Sequence, residues 1–160
     1  MSDERAVPTL YLMVGIPGAG KTTWAALNLG SVSTLISVDT IRKRVYGRYP
    51  VALDGDKEEV VWTEAYRTAA EELREGRSIV LDSMALTNDL RKRHIQRVSR
   101  LTGFRPRCVA VFLDTPLNIA LARNRARSEA VAENIVRESA VHLQPPSKAE
   151  GLDDILDVKA

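Results

Sequence analysis

A chain of 160 residues has room for one domain around a single sizeable core, and residues 1–160 are read as one unit. With 44% hydrophobic and 28% charged residues it falls outside the disordered class, and no apolar run approaches the ~18 residues of a membrane span. A net charge of +2 gives only weak support for a polyanionic partner.

The N-terminus, Met1 to Arg5, lacks the basic-then-apolar layout of a secretory signal, so a cytoplasmic protein is expected. Leu10 to Val14 is a short apolar run ending in glycines, as a buried parallel strand should be. A helix is predicted from about Lys21 to Leu29, with Gly30 stopping it and Trp24 expected to pack into the core. Thr34 to Val38 is predicted as a second strand. Asp39 then stands where a helix N-cap falls, before a short helix through Ile41 and Val45 that ends near Gly47. Residues 48–56, with Pro50 and Gly55, read as a loop. From Lys57 to Glu75 the residues Val61, Trp62, Ala65, Tyr66, Ala69 and Leu73 recur at helical spacing.

Ser78 to Asp82 is the third predicted strand. Thr87 or Asn88 caps a helix carrying Leu90, Ile95, Val98 and Leu101, closed by Gly103. Cys108 to Leu113 is the fourth strand. Cys108 is the sole cysteine, so no intrachain disulfide is possible and a buried, inert thiol is expected. Thr115 and Pro116 start the next helix, and a last one is predicted over Val131 to Leu143, stopped by Pro145 and Pro146. Leu152 to Val158 is read as a terminal strand. Strands alternating with helices predict an α/β fold, a parallel sheet with helices on both faces.

The strongest pattern is Gly15, Ile16, Pro17, Gly18, Ala19, Gly20, Lys21 and Thr22, continued by Thr23. It has Walker A spacing, follows an apolar strand and opens a helix. Glycines let the main chain turn sharply and bring N–H groups against phosphate oxygens, while the helix N-terminus adds partial positive charge. Lys21 is expected on the β- and γ-phosphates of ATP and the Thr22 hydroxyl on Mg²⁺. Neither Asn-Lys-x-Asp nor Asp-x-x-Gly occurs as a GTPase requires, which leaves a small core with carboxylates at two strand tips.

Asp39, beyond the second strand, is the expected base for a phosphoryl-acceptor hydroxyl, with a plain cap as the alternative. Arg42, three residues on, shares a helix face with it and suits an anionic group on the acceptor. Asp82 either orients Mg²⁺, holds the acceptor, or is a strand-end turn residue. Arg123 and Arg127 share a face if their segment is helical, as in a lid supplying cations to the transferring phosphate; a solvated basic helix is the alternative. Two basic clusters, Arg91 with Lys92 and Arg93, and Lys43 with Arg44 and Arg48, are expected to be solvated faces. His94 and His142 have no metal-ligand spacing.

Gly15 to Trp24, Val38 to Arg42, Leu81 to Ser83 and Ala122 to Arg127 stand in the order seen in polynucleotide 5′-kinases. The chain resembles the phage-type kinase domain and its bacterial P-loop kinase relatives over roughly residues 10–145. The resemblance implies a three-layer P-loop NTPase sandwich with strand order 2-3-1-4-5 and an arginine-bearing lid. By it Asp39 activates the acceptor hydroxyl, Arg42 contacts a neighbouring phosphate, and Asp82 lines the acceptor site. Arg127 bridges donor phosphates beside Arg123. The expected reaction moves the γ-phosphate of ATP to an alcohol, with the 5′-hydroxyl of RNA or DNA the leading acceptor. A nucleoside, sugar nucleotide or antibiotic hydroxyl, or a regulatory ATPase, are the alternatives. Residues 43–60 match no motif of that family.

Overall fold

Side chains on the central strands alternate between two cores, so each strand is apolar on both faces. In β1 (Thr9–Val14), Leu10, Leu12 and Val14 join one cluster and Met13 the other. In β4 (Arg107–Asp114), Cys108, Ala110 and Phe112 join the first, and Val111 and Leu113 the second. This period of two along buried strands is what a sheet covered on both sides requires. The computed structural model describes residues 6–47 and 55–159.

Five parallel strands run in the order β2-β3-β1-β4-β5, where β2 is Ser33–Ser37, β3 is Ser78–Asp82 and β5 is Asp154–Lys159. The order inferred from the family resemblance is therefore the observed one. Helices α2 (Val38–Tyr46), α3 (Gly55–Arg74) and α4 (Asn88–Thr102) pack on the first core. Helices α1 (Lys21–Leu29), α5 (Leu117–Arg125) and α6 (Glu133–His142) cover the second, where Trp24 packs half-buried. A single 3₁₀ turn at Lys148–Glu150 precedes β5. No helix among the described residues is long and apolar enough to cross a membrane.

The chain leaves β1 towards one edge and later returns to the other side of it, so β1 lies between β3 and β4. The crevice beyond the C-terminal ends of these strands is the switch point where ligands bind in such sheets. The loop after β1, the start of α2 after β2 and the loop after β3 all open there.

Several expectations are corrected. β2 ends one residue early because Ser37, not Asp39, is the N-cap: its hydroxyl accepts from the Thr40 N–H at 3.2 Å. Asp39 is left inside the first turn, freed from capping. α6 begins at Glu133 rather than Val131, because the buried Asn124 side chain takes both main-chain groups of Val131. Gly55 and Asp56, read as loop, open α3, while residues 48–54 of that loop lie outside the described residues, with Arg48. The buried face of α4 is Arg91, His94, Ile95, Val98 and Thr102, with Leu90 and Leu101 exposed. Arg91 is therefore no solvated cation. It is fully buried and forks onto Glu150 at 2.7 Å through both Nε and Nη2. Cys108 is buried as expected, and burial pushes its thiol up to about 11.

Candidate active site

The loop after β1 owes its path to two left-handed glycines. Gly18 has φ of 85° and Gly20 of 95°, and a Cβ on Gly18 would sit 2.2 Å from the Ala120 carbonyl oxygen. Only glycine meets both demands. Gly15 and Ala19 are buried beneath the loop, which is anchored by the Gly15 N–H on Met84 O and by the Ala19 N–H on Ile16 O. The N–H groups of Gly18, Gly20, Lys21 and Thr22 meet no main-chain carbonyl among the described residues. Donors left open at a glycine turn and helix N-terminus form an anion cradle.

A cavity of about 1010 Å³ opens over this cradle. Pro17, Gly18, Gly20, Lys21, Thr22 and Thr23 line one part of it. Asp39, Arg42, Asp82, Arg123 and Arg127 line the same cavity. Residues expected in the site from four separate segments thus meet in one space.

The Lys21 ammonium donates to the carbonyls of Gly15 and Ile16, each at 3.0 Å. Burial lowers its pKa to about 8, a fall that the charges of Asp82 and then Asp39 partly offset. A phosphate in the cradle would act in the same direction as those carboxylates and favour the charged ammonium. The Thr22 hydroxyl donates to Asp82 Oδ2 at 2.6 Å, across from β3. Burial raises the Asp82 carboxyl above its ordinary value, against the pull of Thr22 and Lys21.

No cluster of three His, Cys, Asp or Glu side chains suited to a metal occurs among the described residues. The adjacent Thr22 hydroxyl and Asp82 carboxylate are hard oxygen donors. They suit a small divalent ion that keeps several waters and binds mainly through nucleotide phosphates. Such an oxygen donor set fits Mg²⁺.

At the other part of the cavity Arg42 holds Asp39 Oδ1 through Nη1 at 2.5 Å. Its remaining edge forks onto Glu58 of α3, Nε to Oε2 at 2.9 Å and Nη2 to Oε1 at 2.6 Å. Burial pulls the Arg42 pKa down, but bonds to Glu58 and Asp39 outweigh it and hold the guanidinium above its ordinary value. Glu58 belongs to the 43–60 stretch that matched no motif. Helical spacing on α3 carries no hint that it would reach across to α2.

Arg123 and Arg127 do not share a helix face as expected. α5 ends at Arg125, and Arg127 lies in the following turn, its N–H on the Asn124 carbonyl at 3.1 Å. The Asn124 side chain donates to Val131 O at 2.6 Å and accepts from Val131 N–H at 2.9 Å, closing that turn back on α5. Both arginines still line the cavity, and Arg123 Nη1 reaches the Ala19 carbonyl at 3.2 Å. Glu129 of the same turn bridges to Lys43 of α2 at 2.7 Å, joining the lid segment to the helix that carries Asp39.

The loop after β3 supplies features that sequence reasoning missed. The Ser83 hydroxyl is buried without a hydrogen-bond partner among the described residues, and its residue lines the cavity. Ala85 has φ of 44°, a left-handed conformation costing a non-glycine residue roughly 1–3 kcal/mol. Arg91 Nη1 holds the Ala85 carbonyl at 2.7 Å and so stabilises the strained turn.

Solved structures share this architecture. A suspected kinase from Chloroflexus aurantiacus j-10-fl superposes with a TM-score of 0.72 at 21% identity, over 96% of this chain and 86% of that one. A sugar kinase from Janibacter sp. HTCC2649 gives 0.66 at 16%, over 96% and 85%. A chain of the Pnkp1/Rnl/Hen1 RNA repair complex gives 0.69 at 17%, over 89% of this chain but 46% of that one. At such identities the likeness shows the fold alone. No protein of curated function matches the sequence significantly. The AAA domain family model matches residues 10–146, nearly the whole of the sandwich, and the chain therefore belongs to that family, as an ATP-binding P-loop protein of kinase-like fold.

Proposed function

We propose that the protein transfers the γ-phosphate of ATP to a hydroxyl of a small molecule. One observation carries this reading: the phosphate cradle and the Asp39 carboxylate line a single cavity. A protein that merely bound ATP would have no need of a carboxylate facing its nucleotide loop, and one that hydrolysed it would need room there for no more than a water.

The residues divide the work as follows. The open N–H groups of the loop and the Lys21 ammonium hold the β- and γ-phosphates. Thr22, with Asp82 behind it, would hold Mg²⁺, which when bound neutralises phosphate charge. Asp39 accepts the proton of the acceptor hydroxyl as its oxygen bonds to the γ-phosphorus and the bond from that phosphorus to the β–γ bridging oxygen breaks, releasing ADP. Arg42 fixes the Asp39 carboxylate in position. Arg127 and Arg123 face the charge that spreads over the transferring phosphoryl group.

The pairing of the basic side chains nearest Asp39 supports a small alcohol over a polynucleotide end. Glu58 and Asp39 occupy the Arg42 guanidinium, and Lys43 is taken by Glu129. An acceptor phosphate would therefore have to displace carboxylates from Arg42 before it could bind there, whereas a plain hydroxyl would not. A sugar kinase among the structural relatives is in keeping with this reading.

The test is label transfer from γ-labelled ATP with Mg²⁺ to a panel of nucleosides, sugars, sugar nucleotides, aminoglycosides and 5′-hydroxyl oligonucleotides. Transfer to a small alcohol is expected. Transfer confined to oligonucleotides would overturn the choice of acceptor, and phosphate release with no labelled acceptor would overturn transfer itself.

A further inference from the structure

We propose that the acceptor end of the cavity seats a flat aromatic ring on Trp62, and that the acceptor is a nucleoside. This rests on the phosphotransfer reading for its hydroxyl but on separate residues for its ring. Trp62 of α3 is half-buried and lines the cavity. Its indole lies 4.7 Å from the His94 ring at an interplanar angle of 19°, and 5.5 Å from the Tyr66 ring. The Tyr66 hydroxyl bonds His94 Nδ1 at 2.6 Å. His94, 1% exposed, also lines the cavity. The stack is therefore held before any ligand arrives, so little side-chain freedom is lost on binding.

The surroundings separate a ring from a sugar. Met84, Leu86 and Leu90 line the cavity along with Trp62. A pyranose can lay its C–H face on an indole, but its rim of hydroxyls would then meet the aliphatic carbon of Met84, Leu86 and Leu90, at roughly 1–3 kcal/mol for each unpaired group. A flat aromatic ring needs polar partners only along its edge and can lay its face on the indole. Spacing supplies the rest. Trp62 is one turn beyond Glu58, about 6 Å along the axis of α3. Glu58 holds Arg42 and Arg42 holds Asp39. Asp39, Arg42, Glu58 and Trp62 thus stand along one side of the cavity, so that a sugar could join a hydroxyl at Asp39 to a ring at Trp62.

The sequence holds two tryptophans, Trp24 and Trp62, so Trp24→Phe leaves Trp62 as the sole indole. In that variant, saturated with ADP to fill the donor site, adenosine, guanosine, cytidine and uridine are titrated against gluconate and methyl glucoside. Saturable quenching by at least one nucleoside and none by the sugars is expected. Quenching by no nucleoside, or equal quenching by sugars, would overturn the ring seat whether or not phosphate is transferred. Conversely, nucleoside quenching without label transfer would leave the seat standing and remove the reaction. In the transfer assay Trp62→Ala should raise the nucleoside KM on the order of 10-fold or more, as loss of a base–aromatic stack does, with the KM for ATP unchanged. Trp62→Phe should restore most of it; a phenyl ring that rescues nothing would contradict stacking.

Discussion

Burial keeps the His94 imidazole neutral, pushing its pKa from 6.5 to about 4, with the charges of Arg93 and Arg91 adding to the effect. Between those values the unfolded chain binds a proton that the native one refuses, so stability falls as pH drops through that window. The loss should reach about 2 kcal/mol by pH 5. Urea midpoints at pH 7 and pH 5 measure it, and His94→Phe should flatten the difference whatever its stability at pH 7. An unchanged slope in that variant would mean that other groups carry the acid sensitivity. Arg91, three residues earlier on the same face, shows why single residues are the hardest scale to read. Beside Lys92 and Arg93 it looks like one of a solvated cluster. Yet its spacing to Ile95, Val98 and Thr102 follows the buried stripe of α4. Periodicity held the answer, but charge argued against it. Glu150, the partner that makes burial tolerable, lies 59 residues away, where no local pattern points back.

Elements were more legible than residues, and their ends less so than their middles. The apolar stripe of α3 reappears with Val61, Ala65, Tyr66, Ala69 and Leu73 buried, because helical spacing and burial are the same constraint. The starts of α2 and α6 shifted because side chains decide them: Ser37 caps one and Asn124 delays the other. Asn124 also closes the turn that brings Arg127 to the cavity. Asn124→Ala leaves both buried main-chain groups of Val131 unpaired, and the cost should be about 2–4 kcal/mol. A melt should show that loss. Steady-state kinetics on the folded fraction should show a lower kcat than wild type, since Arg127 is no longer held. An unchanged kcat would place Arg127 outside the chemistry. The Lys43–Glu129 pair across the same segment is exposed and should contribute under ~1 kcal/mol, too little to hold the lid segment alone.

At the scale of the whole molecule, the parallel sheet, its two cores and its strand order follow from buried strands alternating with helices and one glycine loop. The resemblance that named the order was right about the sheet. It was less informative about the rest of the cavity, where Glu58, Trp62 and the loop after β3 meet only in the folded chain. The glycine loop is local in sequence and was legible, as were Asp39, Arg42 and Asp82 at the strand ends; Glu58, Trp62 and Ser83, which line the same cavity from α3 and the loop after β3, were not. The union of the glycine loop and Asp39 in one cavity is the central claim, and Asp39→Asn tests it most directly. ATP affinity, by calorimetry with Mg²⁺ present, should stay within a few-fold of wild type. The rate of phosphoryl transfer to the accepted alcohol should fall by about 10²–10⁴-fold, the range for losing a positioned base. Transfer at the wild-type rate by the folded variant would contradict the claim.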